Sequence, residues 1–139
     1  MIEHKIVKGL STTHKSEGGM HNTLYSSRPT GELNYLLSTP EILEIIIEAS
    51  YKMLDPLLPT GYTTVGKYIE LSHEQPTLTL LGGKISTTMT VTEVIGNKVS
   101  LDFTCHDEIG LICKGRYERF IVNKDKLMEA TSKRAQSKM

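Results

Sequence analysis

The 139-residue sequence has no tryptophan and only two phenylalanines and two cysteines. Its 16 basic residues balance its 16 acidic residues. A chain without net positive charge lacks the concentrated field that nucleic-acid binding requires, so no nucleic-acid partner is expected. No apolar run approaches the roughly 20 residues that span a bilayer, and the first residues lack the apolar block of a secretory signal. We therefore expect a cytoplasmic protein without a membrane partner.

Metal and disulfide chemistry also have little support. Cys105 and Cys113 show no metal-ligand spacing, and without a sign of export we expect both to be reduced. His106, Asp107 and Glu108 are adjacent, but three ligand types in a row at a predicted turn are weak evidence for a metal. We interpret them as turn residues and predict no metal site and no bound cofactor.

The length favours one domain over residues 1–139, since this is enough chain for one core and too little for two. Residues 2–7, "IEHKIV", predict a short strand. Residues 10–31 are polar and show no helical or strand period, which indicates a long loop or lid. Residues 125–139 predict a C-terminal helix that frays into a basic tail.

The stretch "LLSTPEILEIIIEAS", residues 36–50, predicts a long helix. Ser38 or Thr39 can cap it, Pro40 suits its first turn, and Glu41 stands where a capping box places an acid. Apolar residues cover most of the circumference, so another element must wrap this helix. The acidic residues are spaced to share one polar stripe, which consists of Glu41, Glu44, Glu48 and Asp55.

After the helix the hydrophobic period changes from 3.6 to 2. Four segments rich in valine, isoleucine and threonine predict strands, at residues 62–73, 84–95, 97–107 and 111–122. Short turns between the last three indicate an antiparallel meander. One wrapped helix and a run of antiparallel strands predict an α+β domain in which a curled sheet surrounds the helix. An open sheet leaves an edge strand, and pairing across a homodimer would cover it.

Two stretches carry a family resemblance: "LSTPEILEIII…DPLLPTGYTTVGKYIELSH", followed by "CHDEIGLICKGRYERFIV". Over residues 36–124 the order of these motifs resembles the hotdog-fold acyl-CoA thioesterases, in the branch that includes fluoroacetyl-CoA thioesterase. The resemblance implies a hotdog fold, a central helix wrapped by a curled antiparallel sheet. It also implies an acyl-CoA substrate, with coenzyme A as part of that substrate rather than a cofactor.

In that family a threonine, a glutamate and a histidine act on the thioester. Matching the motifs implies that Thr39 is the threonine and His73 the histidine, with His73 as general acid and base. Gly66 matches the glycine beside the thioester carbonyl. Arg119 matches the arginine of the family's E-R pair, where it would meet the phosphates or the acyl end of the ester.

The family glutamate has no match, because Ile47 stands at its position. Glu48 lies about 100° further round the helix, and Glu44 lies one turn back. Three alternatives stay open: a shifted helix brings Glu48 to the site, the site works without this carboxylate, or the protein does not hydrolyse its ligand. An isoleucine here would make the acyl pocket drier, which favours an apolar acyl group, so Ile47 is a predicted substrate-binding residue.

The first functional hypothesis is therefore a homodimeric acyl-CoA thioesterase with Thr39, His73 and Glu48 as candidate catalytic residues. The alternative is an acyl-thioester binding protein without turnover, which the absent glutamate favours. A hotdog hydratase is a weaker third option, because the expected acid–histidine pair near the helix is not seen. Purely structural roles also compete: a helix cap for Thr39, a solvated face for Glu48 and ion pairing for Arg119.

Overall fold

The computed structural model describes residues 3–17, 36–78 and 84–138. Five strands and two α-helices follow one another along this part of the chain, with a short 3-10 helix (Asp55–Leu57) after the first helix. In chain order they are β1 (Ser11–Glu17), α1 (Thr39–Leu54), β2 (Tyr62–His73), β3 (Lys84–Ile95), β4 (Lys98–His106), β5 (Leu111–Asn123) and α2 (Lys124–Gln136).

All five strands form one antiparallel sheet in the order β1-β3-β4-β5-β2. The consecutive hairpins β3-β4-β5 confirm the predicted meander. Burial alternates along β3, where Ile85, Thr87, Met89 and Val91 are buried and their neighbours are not. This period of two gives the sheet one apolar inner face.

Helix α1 lies against that inner face and forms the core with it. Ile42, Ile46 and Leu54 of the helix are fully buried, and they belong to the same apolar cluster as Leu101 and Ile112 of the sheet. A single wrapped helix and a curled antiparallel sheet confirm the predicted α+β class. α2 confirms the predicted C-terminal helix, and within the described part of the chain no helix is long and apolar enough to cross a membrane.

Two predictions near the N-terminus are wrong. The described part of residues 2–7 forms no strand, although Ile6 is buried in the core. The loop predicted for residues 10–31 begins instead with an edge strand, since Ser11–Glu17 pairs with β3 along its whole length. Most side chains described on β1 are exposed, so the strand has no apolar alternation to reveal it. The rest of the predicted loop or lid lies outside the described residues.

Candidate active site

Two of the predicted catalytic residues meet where α1 begins and β2 ends. Thr39 is the first residue of α1, and His73 is the last residue of β2. The hydroxyl oxygen of Thr39 lies 2.8 Å from Nδ1 of His73, which is hydrogen-bonding distance. The fold thus joins residues 34 positions apart in the sequence.

Thr39 is not the cap of the helix. Ser38 has the extended backbone of an N-cap residue, and its hydroxyl oxygen accepts a hydrogen bond from the backbone N–H of Glu41 at 3.3 Å. Because Ser38 satisfies the helix end, the hydroxyl of Thr39 is available to His73. Capping therefore does not explain the threonine at this position.

Among the described residues, the second ring nitrogen of His73 has no partner. Nε2 is buried, and no hydrogen-bond partner lies within reach of it in the described part of the chain. In the tautomer that accepts a proton from Thr39 at Nδ1, Nε2 carries a hydrogen. Leaving such a buried donor unpaired costs about 1–3 kcal/mol. An unsatisfied polar atom of this kind marks a place where an atom of a ligand or of another subunit can bind.

The start of α1 contributes a favourable field but few hydrogen-bond donors. A helix N-terminus carries partial positive charge, which stabilises a developing oxyanion nearby. However, Pro40 has no N–H, the N–H of Glu41 donates to Ser38, and the N–H of Ile42 donates to the carbonyl of Ser38. Positions 40–42 therefore offer no free backbone donor to a thioester oxyanion at Thr39.

The carboxylate candidates on α1 lie away from this pair. The helix is regular from Thr39 to Leu54, so position 47 stands about 12 Å along the axis from Thr39. Ile47 is partly buried and packs against the apolar core. Glu44 is exposed. Among the described residues, no carboxylate is hydrogen-bonded to either member of the Thr39–His73 pair.

Glu48 is held by other partners. It accepts a hydrogen bond from Lys52 at 2.9 Å, and its carboxylate lies 3.4 Å from Nε2 of His14 on β1. The hydrogen bond from Lys52, reinforced by the charges of Lys52 and His14, lowers the pKa of Glu48. These contacts favour the alternative in which the site works without a carboxylate at this position. A catalytic role for Glu48 stays a prediction.

One acidic residue was assigned wrongly. Glu41 is only 2% exposed, so it does not belong to the solvated stripe predicted for Glu44 and Glu48. Spacing gives the angular position of a residue on a helix, but it does not tell which part of the circumference the sheet covers. The buried carboxylate in the first turn of α1 was therefore missed.

Gly66 and Arg119 form a second group at the other end of β2. They stand opposite each other on β2 and β5. Gly66 and His73 are seven positions apart on the same strand, which separates them by roughly 20 Å at the rise of an extended chain. Arg119 is 5% exposed and points inward. The chain thus brings Thr39 to His73, but it does not bring Gly66 and Arg119 to them.

Residues 20–125 match the sequence profile of the fluoroacetyl-CoA-specific thioesterase family, FlK. The chain belongs to this family. All four residues of the two groups lie within the matched range, and so does Ile47. No curated protein shows significant sequence similarity to the chain.

Solved structures confirm the hotdog fold. A hot-dog-like protein from Thermanaerovibrio acidaminovorans is 28% identical, with a TM-score of 0.82 over 91% of each chain. A variant of FlK is 22% identical, with a TM-score of 0.83 over 95% of this chain and 99% of FlK. A thioesterase superfamily member from Thermus thermophilus, TTHA0967, is 24% identical, with a TM-score of 0.78 over 96% of each chain. FlK has also been solved with fluoroacetate and CoA.

Proposed function

We propose that this protein hydrolyses acyl-CoA thioesters to a free acid and CoA. The observation that carries the proposal is the 2.8 Å contact between Thr39 and His73, formed while Ser38 caps the helix. Family membership supplies the reaction class, and the contact supplies a hydroxyl and a base at one place. FlK, which has been solved with CoA, supports a CoA ester as the ligand.

In the proposed reaction His73 moves the protons. Its Nδ1 accepts a proton from the Thr39 hydroxyl, or from a water molecule beside it, as the oxygen attacks the thioester carbon. A carbon–oxygen bond forms, and the carbon–sulfur bond then breaks. The imidazolium returns the proton to the departing CoA thiolate. Where water attacks, this step completes the hydrolysis; where Thr39 attacks, water activated by His73 then hydrolyses the acyl-threonine ester, which releases the acid and restores the Thr39 hydroxyl. The field at the start of α1 stabilises the oxyanion, and a backbone donor at Gly66 would complete its binding.

Gly66 can serve this site only from a second subunit. It stands roughly 20 Å from His73 on its own strand, and β2 is the terminal strand of the sheet order. Antiparallel pairing of β2 with a second β2, with the dyad between Ile69 and Glu70, would place Gly66 opposite the partner's His73. We therefore propose a homodimer with shared sites, which also covers the outer edge of β2, a 12-residue strand.

We propose an apolar acyl group for the substrate, because Ile47 replaces the family carboxylate with a partly buried apolar side chain. We also propose a cytoplasmic location. Cys105 and Cys113 are directly opposed on β4 and β5 and are both free. That state suits a reducing compartment.

The alternative is a protein that binds acyl-CoA without turnover. The observation in its favour is that no carboxylate of the described residues is hydrogen-bonded to the Thr39–His73 pair. Release of CoA thiol from short, medium-chain and aromatic acyl-CoAs tests the two against each other, with His73→Ala beside the wild type. Hydrolysis that disappears in His73→Ala supports the thioesterase. Absence of hydrolysis, together with a melting temperature raised by acyl-CoA, supports the binding protein.

A further inference from the structure

Arg119 sits in the interior of the domain, in a set of hydrogen bonds that the proposed reaction does not use. Its Nε donates to the hydroxyl of Thr64 at 2.8 Å, and one terminal nitrogen donates to the carbonyl of Thr64 at 2.6 Å. The other terminal nitrogen donates to the hydroxyl of Tyr117 at 2.8 Å. A guanidinium that is 5% exposed is stable only when its donors are satisfied in this way.

The negative charge that balances Arg119 is that of Asp55, which is linked to Arg119 by the hydroxyl of Thr64. One carboxylate oxygen of Asp55 accepts from the backbone N–H of Thr64 at 3.2 Å and from its hydroxyl at 2.7 Å. Because that hydroxyl donates to Asp55, its lone pairs are left to accept from Arg119. The chain Arg119–Thr64–Asp55 is thus oriented in one direction, and each bond polarises the next. It links β5 and β2 to the end of α1.

This network closes around Gly66. Arg119 is the residue directly opposite Gly66, and Thr64 lies two positions before it on β2. A Cβ atom built on Gly66 would overlap the hydroxyl of Tyr117, so that hydroxyl occupies the space of the missing side chain. Arg119 therefore holds both the residue that fills this space and the carbonyl of Thr64, two residues before Gly66 in the strand.

The backbone needs such support at this point. The pairing of β2 with β5 shifts register between Gly66 and Tyr68, so that no residue of β5 is paired with Lys67. A bulge interrupts the ladder of hydrogen bonds and bends the strand. Where the ladder is interrupted, side-chain hydrogen bonds have to fix the direction of the peptide groups.

We infer that Arg119, Thr64 and Asp55 are positioning residues, which hold the backbone of Gly66 in the orientation that the thioester requires. Arg119 acts through Thr64 and Tyr117, and it does not contact the CoA ester itself. This replaces the substrate-binding role expected for Arg119 from the sequence. The inference rests on the proposed function for its kinetic part, while its structural part can be tested without any substrate.

The kinetic test compares Thr64→Val, Thr64→Ser and Arg119→Lys with the wild type in acyl-CoA hydrolysis. Thr64→Val removes the hydroxyl that joins Arg119 to Asp55, and Arg119→Lys keeps the charge but loses the fork of donors. Since a displacement of about 1 Å at a reacting group can cost about 100-fold, we expect kcat to fall by about tenfold to 100-fold in both. KM should stay near the wild-type value, and Thr64→Ser should restore kcat.

The structural test measures the backbone order parameter of Gly66 by NMR. It should fall from the value of about 0.85 for a rigid backbone toward 0.6 in Thr64→Val. The matched control is Thr63→Val: the hydroxyl of Thr63 donates to Asp55 at 2.6 Å and has only a long contact, 3.5 Å, with the carbonyl of Thr64, and it is not hydrogen-bonded to Arg119. This control should lower stability while Gly66 stays ordered and kcat is kept.

Three results would overturn the inference. An increase of KM with unchanged kcat in Arg119→Lys would return Arg119 to direct substrate binding. If Thr63→Val and Thr64→Val change kcat and the order parameter of Gly66 equally, the network contributes only to the general stability of the fold. An unchanged order parameter of Gly66 in Thr64→Val would remove the positioning role, whether or not any acyl-CoA is hydrolysed. If the wild type has no activity, the proposed function fails and the order parameter alone decides the inference.

Discussion

Substitutions of two adjacent residues at the start of α1 should affect different properties, one the stability of the fold and the other the rate of hydrolysis. Ser38 caps the helix, and Thr39 contacts His73. Ser38→Ala removes one cap, which costs about 0.5–2 kcal/mol in proteins. The bond from Glu41 is long, at 3.3 Å, so we expect about 1 kcal/mol, or about 3–5 °C in melting temperature. CoA release should stay near the wild-type rate.

Thr39→Val should show the opposite pattern. Valine keeps the branched shape but has no hydroxyl, and Thr39 is exposed at its position, so we expect a change in the free energy of unfolding of less than about 1 kcal/mol. The rate of CoA release should fall by about 100-fold or more, the range in which positioned proton transfer contributes. Thr39→Ser keeps the hydroxyl and should keep most of the rate.

The assay follows free thiol released from acyl-CoA, and thermal unfolding of the same preparations measures stability. The reasoning fails if Thr39→Val loses stability as a cap variant does while its rate is kept. It also fails if Ser38→Ala loses as much rate as Thr39→Val, because the hydroxyl of Thr39 would then have no role beyond folding.

Three further predictions concern side chains outside this pair. Glu48→Gln should leave the rate of CoA release close to that of the wild type and change stability by less than about 1 kcal/mol; a large loss of rate would identify Glu48 as the catalytic carboxylate. Asp107 is partly buried, which opposes ionisation, but hydrogen bonds from two backbone amides and a threonine hydroxyl prevail and hold its pKa below the ordinary value of an aspartate. Asp107→Asn should therefore lower the free energy of unfolding by about 1–3 kcal/mol above pH 4, and this difference should close as the pH falls through the lowered pKa; a difference that persists in acid would contradict the assignment. Cys105 and Cys113 are directly opposed, and such pairs lie about 4.5–5.5 Å apart at Cα, within the range for a disulfide. Mild oxidation of the folded protein should join Cys105 and Cys113 in a disulfide, which mass spectrometry detects as the loss of two hydrogens. If no disulfide forms with an oxidant that reaches both thiols, the side chains cannot turn toward each other.

The elements that pack against the core were readable from the sequence. The predicted ranges 62–73 and 84–95 coincide with β2 and β3. Burial alternates along most of β3, and on β2 the partly buried Ile69 and Leu71 alternate with exposed residues. The cap of α1 was also readable, since capping depends on residue types at fixed spacing. β1 was missed, because an edge strand with exposed polar side chains carries no such alternation.

The arrangement of the site was only partly readable. The ordered resemblance selected Thr39 and His73, and the fold brings them together. The sequence does contain a signal for the interior position of Arg119. This residue lies two positions from Tyr117 and two from Ile121 on β5, so it points to the same face as these buried side chains. The contact of Glu48 with His14 on β1 had no local signal, because β1 was not predicted.

The shared site is the central claim, and recovery of activity in mixed dimers tests it most directly. His73→Ala and Gly66→Ala subunits should each be nearly inactive alone, whereas hybrids of the two contain one intact site. Random reassortment should then restore about a quarter of the wild-type rate. Thr39→Val mixed with His73→Ala should restore nothing, since both changes fall in the same half of the site. Recovery in the first mixture alone is the predicted result. No recovery in either mixture, from subunits that thermal unfolding shows to be folded, or recovery in the second mixture, would contradict the account.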